Sequence, residues 1–273
     1  MIYFIHRLDR NPGDFWSSPR HYFNFKSQRT VDIFDKSNLQ AIPNGSKCIV
    51  GGGGLFKEIF TPYINILIKK KCQIVFWGLG ERYEQNLDDG WIEEDNKTRV
   101  HIKSFNPNLH LVSTRSLEPG IEWIPCASCN HIIFDRIKHQ RQNSPKIKIL
   151  RHKRVPIPNK YGFEEATNDP LVLEDFIQFI VESSVLITNS YHASYWAYLL
   201  GVKTICVPFS SGHYRFPGEI IYTKPSEAGD VAAKLIKDVE LNNNIIRQIS
   251  QDRLLEHRSK SLSFYHRVIH FLS

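Results

Sequence analysis

The residues with the most chemical potential in this 273-residue chain lie in short loops that follow apolar runs. Cys48-Ile49-Val50 opens into Gly51, Gly52, Gly53 and Gly54. Four glycines remove every Cβ from the turn, so a ligand can approach the backbone closely. The helix predicted over 55–68 would aim its free N–H groups and positive dipole end at that space. A phosphate, a carboxylate or a sugar ring suits such a place. No Gly-Lys-Ser/Thr follows, and no GxGxxG with an acidic residue downstream, so the loop matches neither a Walker motif nor a dinucleotide fingerprint. A tight strand-to-helix turn is the plainer alternative. Asn11-Pro12-Gly13-Asp14 follows the first apolar run, and its Asp14 can cap the next helix or hold a substrate hydroxyl. Gly78-Leu79-Gly80 is a third loop of this sort.

Further along, Thr188-Asn189-Ser190-Tyr191-His192 follows a buried-looking strand and opens a helix rich in aromatics. A histidine in the first helical turn has its charged form disfavoured by the dipole, which sets a neutral, titratable imidazole at a sheet edge. A histidine held only for structure is the competing reading. Ser210-Ser211-Gly212-His213-Tyr214-Arg215 brings a cation into the same half, and Arg115 is its counterpart in the first. Two arginines reaching one cleft suit a small, doubly charged anion through bidentate contacts. His192, Arg115 and the glycine loop are therefore expected to face a common crevice, since open α/β sheets bind ligands at the carboxyl ends of their strands.

Five cysteines form an odd set, three of them in or beside strand-like runs, which argues for reduced, buried thiols. Cys126-Ala127-Ser128-Cys129 is a lone CxxC with no second ligand pair at zinc spacing, so a structural turn is expected and no metal. The net charge of +7 comes from clusters such as Lys69–Lys71, Arg151–Arg154 and Arg253–Arg267. That balance fits an anionic small substrate, a nucleic acid or an anionic membrane surface, and a solvated basic face is the ordinary reading of any one cluster. The basic clusters lack interleaved aromatics on a sheet, which argues against nucleic acid.

The elements that must position these loops alternate between apolar strands and helical stretches. Strands are expected at 1–6, 47–50, 73–77, 146–150, 185–188 and 204–207. Such alternation marks parallel βαβ units with both sheet faces covered. The expected fold is α/β, with two Rossmann-like halves whose parallel sheets face a central cleft. The first half spans 1–142 and the second 143–273, with the boundary inside the basic, proline-bearing stretch 140–159 after a helical segment at 130–139. From Asn242 a long amphipathic helix is expected to pack back toward the first half, with Ile245, Ile246, Ile249, Leu254 and Leu255 on one face. Acidic and polar residues cluster at 87–98, the place where disorder is most expected. No stretch approaches the ~20 apolar residues of a membrane span. The amino terminus reaches His6 and Arg7 too early for a signal peptide, so a cytoplasmic protein is expected, with peripheral contact at the inner face of the membrane as a further expectation.

The order of the loops, Asn11-x-Gly13-Asp14, the glycine run, Trp77-Gly78-x-Gly80, Arg115-Ser116, Pro125-Cys126-Ala127-Ser128-Cys129 and Thr188-Asn189-Ser190-Tyr191-His192-Ala193, with Gly201–Ile205 behind it, resembles the polysaccharide pyruvyl transferase family over about residues 11–220. That resemblance implies a fold like the B-type glycosyltransferases. It also implies transfer of a pyruvyl group from phosphoenolpyruvate onto two sugar hydroxyls, giving a ketal. His192 matches the family's acid/base and Arg115 its central anion-binding arginine. Where the family carries Ser-Arg-Leu-His, this chain has Asn189-Ser190-Tyr191-His192, and Arg215 is assigned the task of the arginine replaced by Ser190.

In that reaction an acid protonates the methylene carbon of the enol phosphate. One hydroxyl then captures C2 and a second displaces phosphate, steps that suit a histidine titrating near neutrality and arginines that hold the shifting charge. No cofactor is needed beyond the donor substrate. The partners expected are an anionic small-molecule donor and a carbohydrate acceptor, free or lipid-linked. The competing functions are a nucleotide-sugar glycosyltransferase of the same architecture and a non-catalytic carbohydrate-binding protein.

Overall fold

The computed structural model describes residues 1–56, 58–80, 106–137, 146–169, 172–209, 216, 218–239 and 243–273. The acidic stretch 87–98 and the loop bearing Arg215 lie outside them. The chain forms two units. One gathers Met1–Asp9, Asp14–Ser128 and Ser259–Ser273; the other gathers Arg10–Gly13 and Cys129–Arg258.

In the first unit, β1 (Ile2–His6), β2 (Gln28–Asp32), β3 (Lys47–Gly51), β4 (Gln73–Leu79), β5 (His110–Thr114) and β6 (Glu122–Trp123) form one parallel sheet in the order β2-β1-β3-β4-β5-β6. The direction of winding switches between β1 and β3. Strands buried on both faces read as continuous apolar runs, and strict alternation sends their residues to opposite cores. Tyr3, Ile5, Val50, Ile74 and Phe76 pack with Leu39 of α2 (Lys36–Ala41) and Ile64 and Leu67 of α3 (Thr61–Lys69). Ile2, Phe4, Ile49, Val75 and Trp77 pack instead with Phe25, Phe264, Val268 and Leu272. Helix α1 (Pro12–Trp16) is short, and a 3-10 turn at Pro19–His21 follows it. The helix expected from residue 55 begins only at Thr61, after a 3-10 turn at Glu58–Phe60, where Pro62 supplies the fixed φ of a first turn.

The second unit carries the same winding. Strands β7 (Ile147–Arg151), β8 (Glu164–Thr167), β9 (Val185–Thr188), β10 (Lys203–Cys206) and β11 (Ile221–Tyr222) form a parallel sheet in the order β11-β10-β9-β7-β8. After the short α4 (Ile133–Arg136), helices α5 (Leu173–Val181) and α6 (Tyr191–Leu199) pack together, and α6 also covers β10. Ala228 and Ala232 of α7 (Ala228–Val239) seal the Ile149, Val185, Ile187 and Ile205 core.

The first unit's continuous stretch ends at Ser128, ahead of the 142/143 division expected from composition. Segment 129–135 is held within the second unit by Arg258, which donates to the carbonyls of Cys129 (2.9 Å) and His131 (3.4 Å) and pairs with Asp135. Arg258 lies on α8 (Asn243–Phe271), and the residues that follow it belong to the first unit. The buried stripe of α8 is Ser250, His257, Ser261, Phe264 and Val268. Leu255, expected to share the apolar face, is 63% exposed, because it stands off the three- and four-residue spacing of that stripe. The side chains of Ile245, Ile246 and Ile249 lie outside the described residues. Among the described residues no helix is long and apolar enough to cross a membrane.

Candidate functional site

In the first unit the loops after β3, β4 and β5 lie together. Gly80 donates to the carbonyl of Gly53 at 3.0 Å, and Phe56 donates to the carbonyl of Gly80 at 3.1 Å, which ties the glycine run to the end of β4. Arg115 donates its backbone N–H to Leu79 at 3.1 Å, and its carbonyl accepts from Trp123 Nε1 at 3.0 Å. Its side chain is buried against Gly80, where a Cβ would stand 2.4 Å from Nε. Only glycine leaves room there for the guanidinium.

The glycine run is occupied by the chain itself. Gly52 (φ +95°) and Gly53 (φ +77°) adopt the left-handed region. A Cβ on Gly52 would meet Ser17 Oγ at 2.4 Å, and one on Gly53 would meet Asp14 Oδ1 at 2.4 Å. The close approach that glycine permits is thus made by the α1 segment of the protein. Gly51 lies beside Trp77, 3.4 Å from the Pro19 ring in the same sense, and Gly54 is half-buried. Gly78 (φ +53°) donates to Ser113 Oγ at 2.9 Å and backs onto the Ile124 carbonyl.

Two groups that sequence reasoning gave no role complete this edge. Cys126 is buried with its thiol 3.2 Å from Ser128 Oγ. Burial pushes the thiol up, the Arg115 cation opposes that rise, and Asp14 adds to it, so all three groups share one electrostatic environment. His6, the last residue of β1, is buried, and its Nδ1 must donate to the Arg7 carbonyl (2.9 Å), since a carbonyl only accepts. Burial lowers its pKa to about 4. A histidine closing an otherwise apolar run was the one available signal for it.

In the second unit, Asn11 Oδ1 accepts from Gly13 N at 3.1 Å, and Gly13 lies against the imidazole of His192. His192 is buried in the first turn of α6, beside the rings of Trp196 and Tyr191. Ser190 caps that helix, its Oγ accepting from Ala193 N at 3.4 Å, while Thr188 Oγ1 accepts from Ser190 N at 3.0 Å. Both ends of the buried Asn189 amide are engaged. Oδ1 accepts from His152 N at 2.6 Å and Nδ2 donates to the Val155 carbonyl at 3.0 Å. Asn189 therefore clasps the basic loop that follows β7, at the switch point of the second sheet.

The expected site residues fall into two groups. Asp14, Gly51–Gly54, Gly78, Gly80 and Arg115 belong to the first unit; Asn11, Gly13, Asn189, Ser190 and His192 belong to the second.

No family model matches the chain, and no curated protein matches it. Among solved structures it is similar to a provisionally named UDP-N-acetylglucosamine 2-epimerase from Listeria monocytogenes, at 12% identity and a TM-score of 0.49, over 92% of this chain and 90% of that one. It is also similar to an uncharacterised protein, KP1_0663, from Klebsiella pneumoniae, at 13% identity and a TM-score of 0.45, over 81% of this chain and 92% of that one. Likenesses this loose carry nothing about chemistry, which rests on the residues themselves.

Proposed function

We propose that this protein is a transferase acting on a sugar of a cell-surface polysaccharide or its precursor, and that it moves a pyruvyl group from phosphoenolpyruvate onto two hydroxyls. The observation that carries this reading is the buried Arg115 guanidinium, lodged under Gly80 at the carboxyl edge of a parallel sheet, where open α/β folds bind ligands. A guanidinium in that position has the geometry to take the carboxylate or phosphate of a small anionic donor.

Proton traffic falls to His192 in this reading. Its proton goes to the methylene carbon of phosphoenolpyruvate, and the first sugar hydroxyl adds to C2, its own proton returning to the imidazole. The second hydroxyl then forms the other C–O bond as the C–O bond to phosphate breaks. Its proton leaves with the phosphate, so the products are the cyclic ketal and inorganic phosphate.

The test is a thermal-shift comparison of phosphoenolpyruvate with CMP-, UDP- and GDP-sugars on the purified chain, followed by assay of phosphate release with candidate acceptors. Stabilisation by phosphoenolpyruvate that is lost in Arg115→Ala is the expected result. Stabilisation by nucleotide sugars alone would replace pyruvyl transfer with glycosyl transfer, and no response to either donor class would favour a carbohydrate-binding protein.

A further inference from the structure

Thr30 Oγ1 in the middle of β2 aside, four buried polar side-chain atoms among the described residues of the first unit have no hydrogen-bond partner: His6 Nε2, Ser18 Oγ, Trp77 Nε1 and Ser116 Oγ. Each belongs to a residue no more than 1% exposed. All four stand toward one end of the sheet. His6 closes β1, Trp77 lies near the end of β4, Ser116 follows β5, and Ser18 has its backbone N 3.0 Å from the position of a Cβ on Gly52. An unpaired buried polar atom costs about 1–3 kcal/mol, so a set of them at one sheet edge calls for a physical reason.

Register places His6, Gly51 and Trp77 in one row. His6 and Gly51 each follow the Ile5–Val50 pair by one residue, and Gly51 pairs with Trp77. Alternation puts His6 and Gly51 on the Ile2, Phe4 and Ile49 face, where Trp77 also packs. Gly51 contributes no side chain of its own between the histidine and the indole, and the Pro19 ring packs over it. Beside His6 stand the half-buried rings of Phe15 and His21, at centroid distances of 6.3 and 6.2 Å, and Trp16 stands 5.1 Å from His21.

The donor and acceptor pattern selects the class of ligand. With Nδ1 donating, the neutral ring of His6 offers a bare lone pair at Nε2, which needs a donor. A carboxylate or a fully ionised phosphate ester has no proton to give, and inorganic phosphate, which keeps one P–OH at neutral pH, has no apolar face to set against the neighbouring rings. The Trp77 N–H needs an acceptor, and Ser18 can do either. A hydroxyl both donates and accepts. Aromatic rings next to hydroxyl-reading groups suit the apolar C–H face of a sugar.

We propose that the β1–β3 edge of the first unit is a carbohydrate-acceptor subsite, in which His6 Nε2 accepts a hydrogen bond from a substrate hydroxyl and the Phe15, Trp16 and His21 rings lie against the sugar. Binding turns the half-buried Phe15 or His21 ring aside to reach Nε2. This rests on the sugar-acceptor part of the proposed function and is independent of the donor.

The test titrates the full chain with methyl glycosides of the gluco, galacto and N-acetylglucosaminyl series, with inorganic phosphate and phosphoenolpyruvate as controls. In the wild-type protein a glycoside should move the His6 Nε2 resonance in nitrogen-15 spectra, and inorganic phosphate should not. His6→Phe sets a somewhat larger ring in place of the imidazole and removes the Nε2 lone pair together with the Nδ1–H donor, so glycoside affinity should fall about tenfold, the value of one lost hydrogen bond in a desolvated site, with phosphoenolpyruvate binding unchanged. Absence of glycoside binding, unchanged glycoside affinity in His6→Phe, or a His6 response to phosphate alone would each overturn the subsite. If His6→Phe does not fold, the wild-type resonance decides. Loss of phosphoenolpyruvate binding alone would remove the proposed donor and leave the subsite standing.

Discussion

A Cβ built on Gly13 would stand 2.2 Å from Nδ1 of His192 and 2.9 Å from its Cβ, so the imidazole occupies the space that any other residue type would fill. Position 13 therefore controls where that ring sits. Trp196 and Tyr191 flank the ring, so it has little freedom to swing away. Gly13→Ala should cost about 1–3 kcal/mol in urea unfolding, as overpacking generally does. In the proposed reaction it should also lower kcat far more than it raises KM. His192→Ala should abolish turnover and, because it empties a buried space between Gly13, Tyr191 and Trp196, should also lower stability by about 1–3 kcal/mol, so activity is read under conditions where the variant is shown to be folded. Undiminished activity in His192→Ala would refute its role.

Asn189 supplies two buried hydrogen bonds to the loop that follows β7, one accepted and one donated. Asn189→Asp keeps the acceptor and loses the donor, and it sets a carboxylate oxygen against the Val155 carbonyl. The expected loss of stability is roughly 2–4 kcal/mol by denaturant titration, combining a lost bond with an unsatisfied buried group. A change below the error of the titration would show that the clasp contributes nothing.

His6 makes the first unit sensitive to acid. Its folded pKa of about 4 lies below the ordinary histidine value of 6.5, chiefly through burial, with the hydrogen bond to the Arg7 carbonyl and the Asp32 charge opposing the drop and the charges of His21 and Arg20 adding to it. Between those values the unfolded chain binds the extra proton, so this contribution to stability is complete above pH 6.5 and is lost as pH falls toward 4. The shift corresponds to about 3 kcal/mol. The difference in unfolding free energy between wild type and His6→Phe should therefore change by about that amount from pH 7 to pH 4. A difference that does not vary with pH would show that His6 titrates normally.

Gly52 and Gly45 separate strain from crowding. Both have positive φ, but a Cβ on Gly45 meets nothing within 4 Å, whereas one on Gly52 collides with Ser17 Oγ and the Ser18 backbone. Gly45→Ala should cost about 1–2 kcal/mol, the left-handed penalty alone, and Gly52→Ala roughly 2–4 kcal/mol. Equal losses in thermal or urea unfolding would mean that the α1 segment is not held against the glycine run.

Arg115→Ala should weaken phosphoenolpyruvate roughly tenfold to a hundredfold, since a buried charge-assisted contact is worth ~1.5–3 kcal/mol. Gly80→Ala should weaken it as well, because its Cβ would displace the same guanidinium. Isothermal titration of both variants checks this, and unchanged affinity in Arg115→Ala would take the donor away from that residue.

The strands with continuous apolar runs were legible in the sequence, among them β1, β3, β4 and β9, because burial on both faces leaves a signal that polar neighbours cannot mask. The outer strands were not. β2 reads Gln-Arg-Thr-Val-Asp and β8 reads Glu-Glu-Ala-Thr, half-exposed sequences that form strands only because a buried neighbour offers its open edge. In the candidate site, loops at strand ends were found by their glycines. What those glycines accommodate was invisible, since Ser17 against Gly52, Asp14 against Gly53 and His192 against Gly13 are tertiary contacts that leave no trace in spacing. The bonds that Asn189 makes to the loop after β7 are tertiary contacts of the same kind.

The membership of α8 bears on synthesis as well as on structure. Phe264, Val268 and Leu272 cover Phe4, Ile49, Val75 and Trp77, strand residues encoded far earlier in the message. A chain leaving the ribosome can pair the strands of the first sheet long before it can cover that face. Domains usually complete themselves in order of synthesis. Here the first sheet must wait, with Trp77 and Phe4 open to solvent or to a chaperone, until the final turns of α8 emerge.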